Sequence, residues 1–253
     1  MDRVKTGVRG LDEMLHGGFL PQSANLFEGA PGTGKSTLAM QFIYNGAKHF
    51  DEAGIILTFE EFPQQYYRDA ESFGWDFHAL ERANKLRIIM TSPQVSRRDL
   101  ESVGGNIETI ARELGARRIL IDSMSHLSRL EKEPADRRAL EFTFINALKR
   151  EGLTAFLTRE SFAFPHPQTE PDPGIGFLVD SYSLLRYVEI ESEMRRAMLI
   201  LKMRGSDHAR DIREFRITGE GVQVEAKFQG REGIMSGSPR QMADSFIEAF
   251  VKR

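Results

Sequence analysis

Apolar positions in the first two-thirds of the chain follow two alternating rhythms. Short, mostly apolar runs at residues 24–28, 54–59, 85–90, 118–122 and 153–157 have the length and flanking residues of buried strands. Between them, apolar residues recur at helical spacing over 36–43, from Pro63 to about 73, over 97–114 up to Gly115, and over 135–150 up to Gly152. Strands that alternate with helices predict a mostly parallel central sheet joined by right-handed crossovers. The expected fold class is α/β.

The pattern changes after residue 158. Residues 159–179 carry Pro165, Pro167, Pro171 and Pro173 and show no period, which reads as a long loop of the kind that is usually functional. Strand-like segments follow at 183–189, 197–202, 214–218 and 222–226, and their short separations predict antiparallel hairpins that extend the sheet. Near the end, Met242, Phe246, Ile247, Phe250 and Val251 form an apolar stripe at helical spacing, so a tail over 236–253 is expected to be helical. No repeat, low-complexity tract or linker divides the rest, and residues 1–235 read as one domain.

Composition narrows the class. A chain of 253 residues with 40% hydrophobic residues holds one large α/β core. No apolar run approaches the ~20 residues that span a bilayer, and the first residues lack the apolar stretch of a signal peptide. These features point to a cytoplasmic protein without a membrane partner. The absence of cysteine removes disulfides, thiolate metal sites and cysteine nucleophiles. A net charge of −3 lends no support to dedicated nucleic-acid binding. The histidines, His126 among them, lack close metal-ligand spacing, so no transition metal is assigned.

Candidate chemistry starts at Gly29-Ala30-Pro31-Gly32-Thr33-Gly34-Lys35-Ser36, which fits the phosphate-binding loop G-x-x-x-x-G-K-[ST]. The motif lies between a predicted strand and a predicted helix, where its chemistry requires it. Glycines let several backbone N–H groups face one point, and the new helix adds the positive end of its dipole. Lys35 is placed to neutralise β- and γ-phosphate charge, and the Ser36 hydroxyl to complete a Mg²⁺ shell. A chance glycine-rich turn is the ordinary alternative, and the two flanks weigh against it. The chain is expected to bind a nucleoside triphosphate with Mg²⁺.

Three further groups stand out. Asp122 closes an apolar strand and precedes Ser123, the pattern of an acid that supports Mg²⁺; alone, the pair equally fits a helix cap. Glu60 and Glu61 stand at the carboxyl end of the strand after the P-loop helix, where open α/β sheets bind ligands. A carboxylate there orients water and takes its proton, with Glu60 the expected base and Glu61 its support; a solvated acid pair is the alternative. Lys202 and Arg204 are separated by one residue, which puts both on one side of a strand end. They either clamp a phosphate, in their own subunit or a neighbour, as an arginine finger does, or form surface ion pairs.

Several stretches together resemble the RecA-like ATPases of the circadian clock protein KaiC family. These are Thr6-Gly7-Val8-Arg9-Gly10-Leu11-Asp12 through Gly17-Gly18, the P-loop with Thr37-Leu38, Thr58-Phe59-Glu60-Glu61, and Tyr187-Val188-Glu189-Ile190-Glu191. Leu201-Lys202-Met203-Arg204-Gly205-Ser206, His208, Ile212-Arg213-Glu214-Phe215 and Ser236-Gly237-Ser238-Pro239 extend the match over nearly the whole chain. The resemblance implies a RecA-like P-loop core, ATP at subunit interfaces of a homohexameric ring, and Lys202 and Arg204 reaching into the neighbouring site. It also implies that Thr37 helps to hold nucleotide, and that the tail is where a regulatory protein would bind. Two departures stand beside it. The family's clock protein has two tandem ATPase domains, whereas this chain has room for one. Its second domain carries adjacent Ser-Thr phosphoacceptors before an Asp that matches Asp180; here those positions are Gly176 and Phe177, although Ser181, Tyr182 and Ser183 lie close by.

The leading expectation is a Mg²⁺-dependent ATPase, slow by resemblance alone and coupled to ring conformation or partner signalling. An autokinase, with a hydroxyl in place of water, is the enzymatic alternative. A recombinase-like DNA-binding filament is another, but residues 159–179 hold Glu160, Glu170 and Asp172 against one arginine and no lysine, which speaks against nucleic acid. A nucleotide-gated scaffold that acts through the tail is the third, and the tail stripe would equally pack on its own domain.

Overall fold

The computed structural model describes residues 2–102, 104–161, 173–228, 231–232 and 240–241. An antiparallel bridge between Val4 and Phe19 brackets the first helical turn, α1 (Leu11–Met14). Then come β1 (Ala24–Gly29), α2 (Lys35–His49), β2 (Gly54–Thr58), α3 (Pro63–Glu71), α4 (Phe77–Arg82) and β3 (Leu86–Met90). They are followed by α5 (Pro93–Glu101), α6 (Asn106–Leu114), β4 (Arg118–Asp122), α7 (Met124–Ser128), α8 (Pro134–Arg150) and β5 (Thr154–Glu160). The last third holds α9 (Pro173–Leu178), β6 (Ser181–Ile190), β7 (Glu193–Met203), β8 (Arg213–Thr218), β9 (Gly221–Lys227), β10 (Arg231–Glu232) and β11 (Arg240–Gln241).

One nine-stranded sheet has the order β3-β2-β4-β5-β1-β6-β7-β8-β9. Pairing is parallel from β3 to β6 and antiparallel from β6 to β9. This is the RecA-like P-loop arrangement expected from the sequence, a parallel core extended by C-terminal hairpins. Successive side chains of the parallel strands enter opposite layers. Phe27, Ile56, Leu120 and Phe156 face one core with Phe42 of α2, and Leu26, Ile55, Leu57, Ile119, Ile121 and Leu157 face the other. Burial on both faces is why these strands read as continuous apolar runs rather than alternating ones. The Phe27 and Phe156 rings stack with centroids 4.2 Å apart.

Two sequence expectations need correction. The helix predicted over 97–114 is two helices, α5 and α6. Asp99 accepts the backbone N–H groups of Asn106 and Ile107 at 2.6 and 2.7 Å, which starts a new helix, and Gly104 turns the chain at φ 75°. The featureless stretch 159–179 also contains structure: β5 continues to Glu160, and α9 starts at Pro173. Short helices α1, α4 and α7 were not foreseen. The helical tail expected over 236–253 lies outside the described residues apart from Arg240–Gln241, which pairs with Arg231–Glu232 as a strand. Among the described residues no helix is long and apolar enough to cross a membrane.

One buried ion pair ties the P-loop helix to the strand that carries Asp122. Arg118, at the start of β4, is only 1% exposed. Its guanidinium lies 4.5 Å from the Phe42 ring centre and 5.3 Å from that of Phe50, and it donates to the Phe42 carbonyl at 2.8 Å. Burial works against its charge, and the Glu52 carboxylate, 2.7 Å from Nε, supports it. A Cβ on Gly46 would stand 2.4 Å from Arg118 Cδ, which explains a glycine inside α2. Glu52→Ala should lower unfolding free energy by about 2–4 kcal/mol, slightly less than for a wholly buried pair because Glu52 is partly solvated. Urea denaturation checks this; a loss below about 0.5 kcal/mol would mean that the rings and the Phe42 carbonyl suffice.

Candidate functional site

The loop between β1 and α2 is shaped by residues that only glycine can replace. Gly32 and Gly34 have φ of 76° and 98°, in the left-handed region. A Cβ on Gly32 would lie 2.9 Å from the Tyr187 hydroxyl, and one on Gly34 would lie 2.7 Å from Ile217 Cδ1. Tyr187, on β6, donates to the Gly32 carbonyl at 2.5 Å. Within the loop, Thr33 Oγ1 and Lys35 Nζ both donate to the Ala30 carbonyl, at 2.8 and 3.0 Å. Burial pulls the Lys35 pKa down, and the carboxylates of Asp122, Glu160 and Glu28 pull it back up.

Opposite the loop, the ends of β2, β4 and β5 supply acids. β2 and β4 are paired with Thr58 beside Asp122. Asp122 accepts from Thr158 Oγ1 at 2.6 Å and from the Tyr66 hydroxyl at 3.0 Å. Burial raises the Tyr66 pKa, so the phenol stays a donor. Glu60 extends into solvent, and its Oε2 lies 3.0 Å from Nε2 of His126 on α7. Glu61 receives no hydrogen bond on its carboxylate from the described residues; burial, then the charges of Asp122, Asp69 and Glu60, raises its pKa. Glu160 donates its N–H to Ser125 Oγ at 2.9 Å and pairs with Arg129 at 3.2 Å.

These groups enclose a cleft of about 150 Å³. Of the predicted residues, Pro31, Gly32, Lys35, Ser36, Glu60, Glu61 and Asp122 line it. Gly29, Thr33 and Gly34 shape the loop, and Thr37 sits in the first turn of α2 outside the lining. Thr58, Tyr66, His126 and Glu160 also line it but were not assigned to the site from sequence. Glu160 escaped notice because the predicted strand stopped at 157, short of the carboxyl end where ligands bind. Oxygen donors suit Mg²⁺. The Ser123 hydroxyl is buried without a hydrogen-bond partner among the described residues, and Ser123, Asp122 and Ser36 line the same cleft.

Lys202 and Arg204 do share one side of the β7 end, flanking buried Met203, but they lie outside this cleft. Lys202 Nζ donates to the Gly176 carbonyl at 2.6 Å, and the Arg204 guanidinium donates to the Phe177 carbonyl. Neither forms an ion pair among the described residues.

The family model "ATPase: KaiC" matches residues 4–228. The circadian clock oscillator protein KaiC of Thermostichus vulcanus is 37% identical over 241 residues, covering 95% of this chain and 46% of that protein. Its counterpart from Synechococcus elongatus is 38% identical over 240 residues, covering 95% and 46%. The circadian clock protein KaiC3 of Synechocystis is 34% identical over 255 residues, covering 97% and 48%. The chain thus spans about half the length of the curated relatives it matches.

The loop geometry sets a first test. A left-handed φ costs a non-glycine residue ~1–2 kcal/mol, so Gly34→Ala should weaken binding of a fluorescent ATP analogue by roughly 5–30-fold. Unchanged affinity in the titration would mean that the loop does not need this conformation.

Proposed function

The chain belongs to the KaiC ATPase family, and on that premise we propose that it hydrolyses ATP with Mg²⁺ in a ring of six identical subunits. Each nucleotide is gripped by one subunit and completed by the next. The carrying observation is the charge of the cleft, which is lined by four carboxylates (Glu60, Glu61, Asp122 and Glu160) and one lysine, Lys35. A polyphosphate entering it meets net repulsion unless cations arrive from outside. Ser36, with Asp122 in support, would hold Mg²⁺, which would supply part of that charge and draw electron density from the phosphate oxygens. Lys202 and Arg204 of the neighbouring subunit supply the rest.

In the reaction, water attacks the γ-phosphorus in line with the bridging oxygen. The new P–O bond forms as the bond to the bridging oxygen breaks, and ADP leaves with that electron pair. Glu60 orients the water and takes its proton, with Glu61 beside it. Lys35 and the loop N–H groups hold the charge that moves onto the leaving phosphate. Hydrolysis is favoured over autophosphorylation by the state of the nearby hydroxyls. Ser181 and Ser183 are buried, at 1% and 0% exposure, and the Tyr182 hydroxyl donates to Glu28 at 2.8 Å. The ring, slow turnover and a regulatory partner at the tail come to this reading from the family resemblance, and a cytoplasmic location from the composition.

Arg204→Ala should reduce kcat by ~10³-fold or more, the scale of an arginine finger, with nucleotide affinity changed only a few-fold. Wild-type turnover in a steady-state phosphate-release assay would remove the shared-site role. The raised pKa of Glu61 sets a pH signature. Its carboxylate is present above that raised value and lost as pH falls through it. The kcat/KM profile, which reports the free enzyme, should therefore lose activity on the acid side above the ordinary glutamate range, and Glu61→Gln should flatten that limb. A limb unchanged in Glu61→Gln would belong to another group.

A further inference from the structure

A carboxylate that takes a proton from water works only if it is held in place, and Glu60 is poorly held by its own backbone. Its side chain is 68% exposed on the turn after β2. Among the described residues one side chain contacts it, His126, whose Nε2 is 3.0 Å from Oε2. We propose that His126 is the positioning residue for Glu60, a role that rests on the hydrolysis reading above.

The mounting of the two partners is unequal. Met124 and Leu127, on either side of His126 in α7, are both 0% exposed in the core beneath the sheet. The His126 N–H donates to the Ser123 carbonyl at 3.2 Å, which ties the residue to the end of β4. Because β4 and β2 are neighbours, the imidazole and the carboxylate leave adjacent strand ends and meet over the cleft. A group mounted between core residues thus holds an exposed one. The carboxylate is an acceptor, so the bond assigns the proton of a neutral imidazole to Nε2. It engages Oε2 and leaves Oε1 to receive the proton from water.

The pairing is also selective. Among the described residues, Asp122 is held by Thr158 and Tyr66 and Glu160 by Arg129, while Glu61 takes no hydrogen bond on its carboxylate; the His126 ring bonds to Glu60 and to no other acid of the cleft.

A double-mutant cycle on the full chain, with ATP and Mg²⁺ as the assay, tests this. His126→Ala should lower kcat by about tenfold or more and leave KM for ATP within about twofold, because displacing a reacting group by an ångström already costs that much. His126→Gln, whose amide N–H reaches the place of Nε2, should recover most of the loss. Adding His126→Ala to Glu60→Ala should change nothing further. An equal drop in both backgrounds would assign His126 a merely structural role and overturn the proposal. So would wild-type kcat in His126→Ala while Glu60→Ala is crippled, an outcome that leaves the hydrolysis reading intact. Wild-type kcat in Glu60→Ala would instead overturn that reading of Glu60, and this inference with it.

Discussion

Four carboxylates crowd one lysine at the carboxyl edge of the sheet, and this imbalance governs what the site can do. Each acid is managed differently. Asp122 is held by two hydroxyls, Glu160 by an arginine, and Glu60 by an imidazole. Glu61 has no such donor among the described residues, and burial with its acidic neighbours moves its pKa up. Lys35 is itself buried, which lowers its own pKa, and Asp122, Glu160 and Glu28 work against that shift. The proposed function is a consequence of this balance. On the proposed reading, a cleft that holds phosphate yet is short of positive charge takes a divalent ion and cations from another subunit.

The sheet does the gathering. The parallel register sets Thr58 beside Asp122, and β5 and β1 bring Glu160 level with the end of the glycine loop. Arg118 then locks α2 to β4 through Glu52 and the Phe42 carbonyl, so the loop helix and the strand bearing Asp122 cannot shift independently. On the other side of β1, β6 sends Tyr187 to the Gly32 carbonyl, which couples the antiparallel extension to the phosphate loop. The strand beyond it, β7, ends in Lys202 and Arg204, turned toward α9 and away from the cleft of their own subunit. The same extension therefore braces one site and, in the proposed ring, completes another.

Much of this was legible in the sequence where local chemistry decides structure. Parallel strands buried on both faces leave unbroken apolar runs, and those runs located β1, β2, β4 and β5, while the half-buried edge strand β3 still showed as a short apolar run. The glycine loop announced itself because left-handed backbone and a phosphate-facing lysine permit few alternatives. The spacing of Lys202 and Arg204 placed both on one side, although not where they point. What escaped depends on contacts between distant residues. The break between α5 and α6 comes from the Asp99 side chain capping a helix several residues ahead. The meeting of Glu60 with His126 spans 66 positions and requires β2 and β4 to be neighbours, which chain order does not reveal.

The central claim is that ATP is completed by a cation from the adjoining subunit, and mixing inactive variants tests it most directly. Lys35→Ala subunits lack the grip and Arg204→Ala subunits lack the donated cation, so each alone should be inactive. Co-assembled at equal ratio, about a quarter of the interfaces in a ring join an intact loop to an intact arginine. Turnover should therefore reappear on mixing, to roughly that fraction of wild type. If the mixture stays as inactive as its components while mixed rings demonstrably form, the site is not shared between subunits.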